Sequence, residues 1–231
     1  MTTWSDEAIG RLHTAFADAG DPQRREPMTA YMKHHFAFLG IPAPLRERLT
    51  RDALKPLGRP SPDDALAAAY ACWAQSEREW QYIGCELLRK VERQLAPEAL
   101  GPLEQLITTK SWWDTVDDLA GHPVCSIVRQ RPAARAVMDR WLASENMWLT
   151  RTAILHQLHA GADTDAEWLF AACTARATET EFFIRKAIGW ALRSYARQGP
   201  TQADAVRAFL AEQGPRLSGL SQREALKRVR H

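Results

Sequence analysis

The segment EFFIRKAIGWALRSYAR, residues 181–197, is the clearest amphipathic helix pattern in the chain. At about 100° per residue, its apolar side chains share one face, which is typical of a helix that packs against a core. The opposite face carries a stripe roughly 60° wide at that pitch, formed by Lys186, Trp190, Arg193 and Arg197. Two interpretations of Trp190 stay open: an indole packed by basic stems or a neighbouring helix, or a surface that contacts phosphates and sugars.

Similar helical patterns recur along almost the whole sequence, separated by Gly and Pro breakers such as Gly121-His122-Pro123 and Gly199-Pro200. Strand and hairpin signals are not convincing anywhere. We therefore predict an all-α fold, with helix pairs repeating every 35 to 40 residues or so in an α-solenoid; a compact helical bundle is the alternative. The whole chain, residues 1–231, is predicted to be one domain of such repeats. The predicted helices are 5–19, 27–39, 43–54, 63–75, 77–94, 97–108, 112–119, 133–143, 146–159, 165–176, 180–198, 202–212 and 221–230.

Composition excludes several classes of protein. A run of 18 apolar residues is missing, and the N-terminal residues do not follow a signal-peptide pattern, so we expect a cytoplasmic protein. The four cysteines are widely spaced and are expected to be small buried hydrophobic residues rather than disulfides or zinc ligands. His156 and His159 are three residues apart without a third ligand nearby in sequence, so we expect no metal site there.

The net charge of +2 is distributed unevenly. Residues 181–231 contain ten Lys or Arg and only four acidic residues. A basic C-terminal quarter indicates either a solvated tail or a surface for an anionic partner such as a phosphate backbone.

The segment KSWWDTVD, residues 110–117, combines two indoles with two carboxylates. As a helix, it places Trp113 and Asp117, four residues apart, on a face next to the apolar stripe. A paired indole and carboxylate suits a cationic ligand. Ser111 and Asp114 resemble a capping box, which would explain Asp114 but not Asp117. Asp117 is therefore the better catalytic candidate, and its position off the core face predicts little effect of substitution on stability.

Arg151 is a charged residue at a position predicted to be buried, because it falls in the middle of the apolar side of segment 147–158. Buried arginines are seldom without a partner. Arg151 therefore either pairs with a buried carboxylate or lines a concave surface that receives an anion.

A further cluster runs from Tyr31 to Phe36 and is followed by Gly40-Ile41-Pro42-Ala43-Pro44. Gly40 can end the preceding helix in a left-handed conformation, and the prolines stiffen the turn. Taken alone, this cluster is best interpreted as an ordinary turn between two helices.

Together these segments resemble the DNA alkylation repair protein family, the AlkD-like DNA glycosylases. The segments that carry the resemblance are EPMTAYMKHHFAFLGI, LITTKSWWDTVD, ASENMWLTRTAILHQL, EFFIRKAIGWALRSYA and LSQREALKRV. The resemblance implies an α-solenoid of HEAT-like repeats whose concave basic face holds duplex DNA. It also implies a monomeric, cofactor-free glycosylase that hydrolyses the N-glycosidic bond of cationic alkylated purines such as 3-methyladenine and 7-methylguanine, without drawing the base into a pocket.

The family's motifs assign roles to individual residues here. Its catalytic aspartate corresponds to Asp117 and its two active-site tryptophans to Trp113 and Trp190. Its phosphate-contacting arginine corresponds to Arg151, and the expected DNA-binding residues are Tyr31, Arg151, Lys186, Arg193 and Arg197. The turn Pro42-Ala43-Pro44 departs from the family's reference member, which has polar residues at the first two of these positions and the same proline at the third. Two alternatives remain: a non-catalytic protein that binds damaged or branched DNA, and a protein–protein scaffold.

Overall fold

The computed structural model describes residues 3–227 and Val229. Arg228 and Arg230, two of the basic residues counted above, and the end of the predicted helix 221–230 lie outside the described residues. Within the described part the regular secondary structure is all helical, and its only β-type pairing there is an isolated bridge between Ala37 and Glu77. This confirms the all-α prediction.

The helices fall into two compact units, with the boundary between Gln94 and Leu95. The prediction of a single domain therefore stays a prediction. The first unit contains α1 (Trp4–Phe16), α2 (Pro22–Tyr31), α3 (Ala43–Leu54), α4 (Pro62–Ala74) and α5 (Arg78–Val91). The second contains α6 (Leu100–Thr108), α7 (Trp113–Leu119), α8 (Cys125–Gln130), α9 (Arg135–Leu142), α10 (Met147–Leu155), α11 (Ala166–Ala175), α12 (Phe182–Ala196), α13 (Pro200–Gln213) and α14 (Gly219–Leu226).

In the first unit, the predicted helix 27–39 is wrong. Helix α2 ends at Tyr31, and Lys33 and His34 then adopt left-handed backbone conformations (φ 57° and 60°). The loop that follows is fixed by the buried carboxylate of Glu79, which accepts the backbone N–H groups of Leu39, Gly40 and Ile41 at 2.9–3.1 Å. A tertiary contact of this kind overrides the local helical pattern.

Gly40 is left-handed, as expected (φ 87°). It does not, however, end a helix, because it lies in the middle of the loop. A Cβ at Gly40 would lie 2.2 Å from the carbonyl oxygen of Asp21, so the loop packs closely on the start of α2. The cluster from Tyr31 to Pro44 is thus a fixed loop rather than an ordinary turn between helices.

In the second unit, α12 is the central helix. Its apolar face, with Ile184 and Ile188, is buried against α10, α13 and α14. Gly189 lets α14 approach closely, since a Cβ there would lie 2.7 Å from the carbonyl oxygen of Ser221 and 2.5 Å from Cβ of Glu224. This contact brings α14 against the stripe of residues described for α12.

Two local predictions in the second unit are wrong. Ser111 does not cap α7: its hydroxyl donates to the carbonyl of Ile107 at 2.7 Å, and Trp112 is the N-cap residue without a capping side-chain bond. The predicted break at residues 121–123 is instead a π-helical turn, Ala120–Val124, that leads directly into α8. Pro123 has no N–H to donate, and a wider turn accommodates its loss without ending the helix.

The remaining expectations from composition concern membranes and cysteines. Among the described residues, no helix is long and apolar enough to cross a membrane. All four cysteines are free and buried, as expected.

Candidate active site in the second unit

A cleft of about 320 Å³ opens in the second unit where α7, α10, α12 and α14 come together. The clustering of aromatic, acidic and basic side chains in one concavity makes it the candidate site. Its lining residues are Trp113, Asp117, Arg151, Phe182, Phe183, Lys186, Trp190, Arg193 and Glu224.

Asp117 and Arg151 form a two-pronged ion pair within this cleft. Nε and Nη2 of Arg151 donate to the two carboxylate oxygens of Asp117 at 2.7 and 2.8 Å, and Nη1 donates to the carbonyl of Phe183. The side chains of Asp117 and Arg151 are only 11% and 5% exposed. One guanidinium therefore ties together α7, α10 and α12, and orients the carboxylate.

Burial raises the pKa of Asp117 above its ordinary value, and the nearby Asp114 and Asp118 add to this effect. The hydrogen bonds and positive charge of Arg151 act in the opposite direction and favour the ionised form. A partly desolvated carboxylate interacts more strongly with a neighbouring cation than one in bulk water.

Aromatic side chains flank the carboxylate. Trp113 and Trp190 are half-buried and line the cleft, while Phe182 is 57% exposed beside it. Phe183 packs edge-on against Trp112, with ring centroids 5.1 Å apart. Aromatic faces next to a carboxylate favour positively charged ligands.

The basic residues of the cleft are held by a second carboxylate. Glu224 accepts Nζ of Lys186 at 2.9 Å and Nη1 of Arg193 at 2.7 Å. These hydrogen bonds from Lys186 and Arg193 lower the pKa of Glu224 to about 2, so the carboxylate stays ionised at neutral pH. Trp190 lies on the same helix face and packs against the core cluster around α12. The indole is therefore packed by a core, as the first interpretation expects, and it also lines the cleft; contact with phosphates and sugars stays a prediction.

Six of the predicted site residues line this one cleft, and their roles stay predictions: Asp117, Trp113, Trp190, Arg151, Lys186 and Arg193. For Arg151, the structure decides between the two interpretations of its burial. Arg151 is only 4% exposed and its three nitrogens already donate to protein oxygens, so the buried-carboxylate alternative is the one observed. Asp117 was expected to lie off the core face, but its side chain is 11% exposed and paired with Arg151.

The two other predicted DNA-binding residues lie outside this lining. Arg197 is exposed at the end of α12, and Tyr31 is 68% exposed in the first unit. Sequence reasoning missed Glu224. The available signal was a lone acid between Arg223 and Lys227 in an otherwise basic segment.

A second cleft, of about 350 Å³, lies between α8, α9, α10 and α11 and contains none of the predicted site residues. Its cations are paired, since Arg135 contacts Asp165, and Arg129 lies 3.9 Å from Asp163. Burial lowers the pKa of His156 there to about 4, so this imidazole is neutral. The described residues also contain no cluster of potential metal ligands.

These observations define a class of protein: helical proteins with a cleft in which a buried carboxylate lies beside indoles. The family model for DNA alkylation repair enzymes matches residues 12–229, and the chain belongs to that family. A solved structure described as a predicted DNA alkylation repair enzyme from Enterococcus faecalis is similar, with a TM-score of 0.81 and 32% identity, covering 91% of this chain and 96% of that chain. Curated proteins give no significant match.

Proposed function

We propose that this protein is a monofunctional DNA glycosylase of base excision repair, which hydrolyses the N-glycosidic bond of cationic alkylated purines in duplex DNA. The observation that carries the proposal is the buried carboxylate of Asp117, oriented by Arg151 at 2.7 and 2.8 Å in a cleft lined by Trp113 and Trp190. Family membership supports alkylation repair in general, and the geometry of this cleft supports the glycosidic chemistry.

The proposed reaction follows from the charge on the substrate. Alkylation at N3 or N7 makes the purine cationic, so it departs as a neutral base with the electrons of the broken C–N bond. The deoxyribose becomes oxocarbenium-like, and a carboxylate beside that cation lowers the barrier. Asp117 also orients the water whose oxygen bonds to the anomeric carbon, and accepts its proton.

The other cleft residues act on the sugar and the backbone. The indoles of Trp113 and Trp190 flank the deoxyribose and favour its positive character. Arg151 positions Asp117, while the basic residues of α12 and the exposed Tyr31 contribute to binding the duplex. Since the base leaves without protonation, it need not be drawn into a pocket. Bulky N3 or N7 adducts, too large for a pocket, should therefore also be released.

A second candidate function is favoured by the same ion pair. Two hydrogen bonds from Arg151 also satisfy Asp117 as a purely structural partner. A protein of that kind would bind alkylated DNA without releasing the base.

One assay separates the two. A duplex with a single 7-methylguanine is incubated with excess protein in EDTA, and free base is measured by chromatography. The glycosylase proposal expects base release in EDTA at the rate seen without it. Stable binding of the duplex without release favours the second function, and release that depends on added metal contradicts the cofactor-free reaction.

A further inference from the structure

The cleft contains an unusual balance of charge for a surface that is proposed to hold DNA. Three cations and two carboxylates line it, and each cation contacts a carboxylate. Arg151 forms an ion pair with Asp117, and both Lys186 and Arg193 form ion pairs with Glu224. The residues that would bind a phosphate are thus already engaged by carboxylates of the protein, which reduce the net charge of the lining to +1 without cancelling it.

Glu224 is held firmly in this position. Its side chain is 13% exposed, and it lies on α14, whose backbone packs on Gly189 of α12. The hydroxyl of Ser221 adds a hydrogen bond to the carbonyl of Arg185 at 2.9 Å, which also joins α14 to α12. Lys227 lies 3.8 Å from the same carboxylate. Three cationic neighbours favour the ionised form of the Glu224 carboxylate and hold it in position.

The consequence for ligands depends on their sign. A backbone phosphate must compete with Glu224 for the donors of Lys186 and Arg193, and it meets the repulsion of a like charge. A cationic base or sugar does not compete for these donors, and the carboxylates of Asp117 and Glu224 together with the faces of Trp113 and Trp190 attract it against the repulsion of the three cations. Selectivity of this kind comes from a repulsive element as much as from an attractive one.

We propose that Glu224 is a specificity-determining residue, which weakens the hold of the cleft on undamaged duplex DNA and so favours DNA that carries a cationic lesion. The inference rests on the proposed function and adds to it a residue and a role. Glu224 acts through Lys186 and Arg193, whose availability to phosphate it restricts.

The test compares Glu224→Gln with Glu212→Gln, which removes the same charge from an exposed position on α13. Glu224→Gln should bind an undamaged duplex more tightly, by roughly 3- to 10-fold at low salt, with one or two more phosphate contacts in its salt dependence. Glu212→Gln should behave like the parent protein. A merely structural role for Glu224 predicts weaker binding, which is the opposite sign.

Specificity is measured separately, as release of 7-methylguanine in the presence of undamaged competitor duplex. Glu224→Gln should be inhibited at correspondingly lower competitor concentrations than the parent. Inhibition at the parent's concentration, or duplex binding equal to or weaker than that of the parent, overturns the role of Glu224.

A double variant guards against misfolding. Lys186→Gln combined with Glu224→Gln removes one charge of each sign, and its duplex affinity should return towards that of the parent. If Glu224→Gln does not fold, failure of the double variant to bind like the parent overturns the proposal. If the parent protein releases no base, the glycosylase proposal fails, and specificity is measured instead as the ratio of affinities for a 7-methylguanine duplex and an undamaged duplex. A lower ratio in Glu224→Gln than in the parent then supports the role of Glu224, and an unchanged ratio overturns it.

Discussion

Asp117 is the residue on which the proposed chemistry depends, and its ion pair makes a sharp prediction. Asp117→Asn keeps the shape of the side chain but removes its charge, so base release should fall by roughly two or more orders of magnitude. Because Arg151 then loses its buried partner, the free energy of unfolding should also fall, by about 3 kcal/mol. Single-turnover release and urea denaturation measure the two effects.

Asp114→Asn is the matched control, since it makes the same change on the same helix. Asp114 lies in the first turn of α7, where a carboxylate favours the helix dipole, so stability should change by about 1 kcal/mol or less. Base release close to the parent rate is expected. If Asp117→Asn retained parental activity, the carboxylate would have no catalytic role.

The pH dependence of base release is a second prediction at this scale. Asp117 must be ionised to stabilise a cation, and burial raises its pKa. Activity should therefore fall with decreasing pH at values above the ordinary range of an aspartate, and the residual activity of Asp117→Asn should lack this acidic limb. Rates of release between pH 4 and 8, corrected for spontaneous depurination, provide the measurement. A parental limb retained in Asp117→Asn would assign it to another group.

The sequence predicted the residues of the cleft better than their contacts. Spacing alone placed Trp113 beside Asp117, and it identified Arg151 as a buried cation with two possible partners. It could not choose between those partners, because Asp117 and Arg151 are 34 residues apart and meet only when α7 and α10 dock. Glu224 was missed for the same reason.

Among the helices, α12 and α14 form the contact on which the shape of the cleft depends. Gly189→Ala places a Cβ 2.7 Å from a backbone oxygen of α14, which must shift. We expect the free energy of unfolding to fall by about 1–3 kcal/mol, the usual range for overpacking. Duplex affinity should also change, because Glu224 moves with α14. Thermal denaturation and duplex titration measure these effects.

Gly10→Ala in α1 is the control for this variant. A Cβ at Gly10 meets nothing within 4 Å, so alanine should stabilise the helix by about 0.5–1 kcal/mol. Equal effects of the two substitutions would mean that α14 yields easily to an added methyl group.

Helix prediction from periodicity succeeded where local pattern and tertiary environment agree. Helix α3 was predicted at 43–54 and is observed from Ala43 to Leu54. The prediction failed at residues 32–39, where Lys33 and His34 are left-handed and the buried carboxylate of Glu79 binds the backbone N–H groups of residues 39–41. Such a carboxylate, about 40 residues away in sequence, leaves no trace in the periodicity of the loop that it holds.

For the whole molecule, a net charge of +2 provides little long-range attraction for DNA. Affinity for duplex DNA should therefore depend on a few local phosphate contacts. The number of those contacts should set how steeply the affinity falls with salt concentration. Arg197→Ala, an exposed cation outside the paired set of the cleft, should lower the log–log salt slope by about one and leave stability unchanged. Binding isotherms at several salt concentrations test this expectation.

Arg216→Ala serves as the comparison, because it removes one exposed positive charge from the same unit. For Arg216→Ala, the slope of log affinity against log salt concentration should match that of the parent protein. A common decrease in both variants would indicate a general charge effect rather than a phosphate contact at Arg197.

The chain carries nine tryptophans, and Trp113 and Trp190 line the cleft beside its ionised groups. Occupation of the cleft therefore changes the polarity and charge around two indoles whose emission responds to both. Intrinsic fluorescence should report binding of a duplex without any attached label, and Trp113→Phe and Trp190→Phe should each remove part of the change. The aromatic residues that are proposed to flank the deoxyribose thus also provide an intrinsic fluorescence signal for bound DNA.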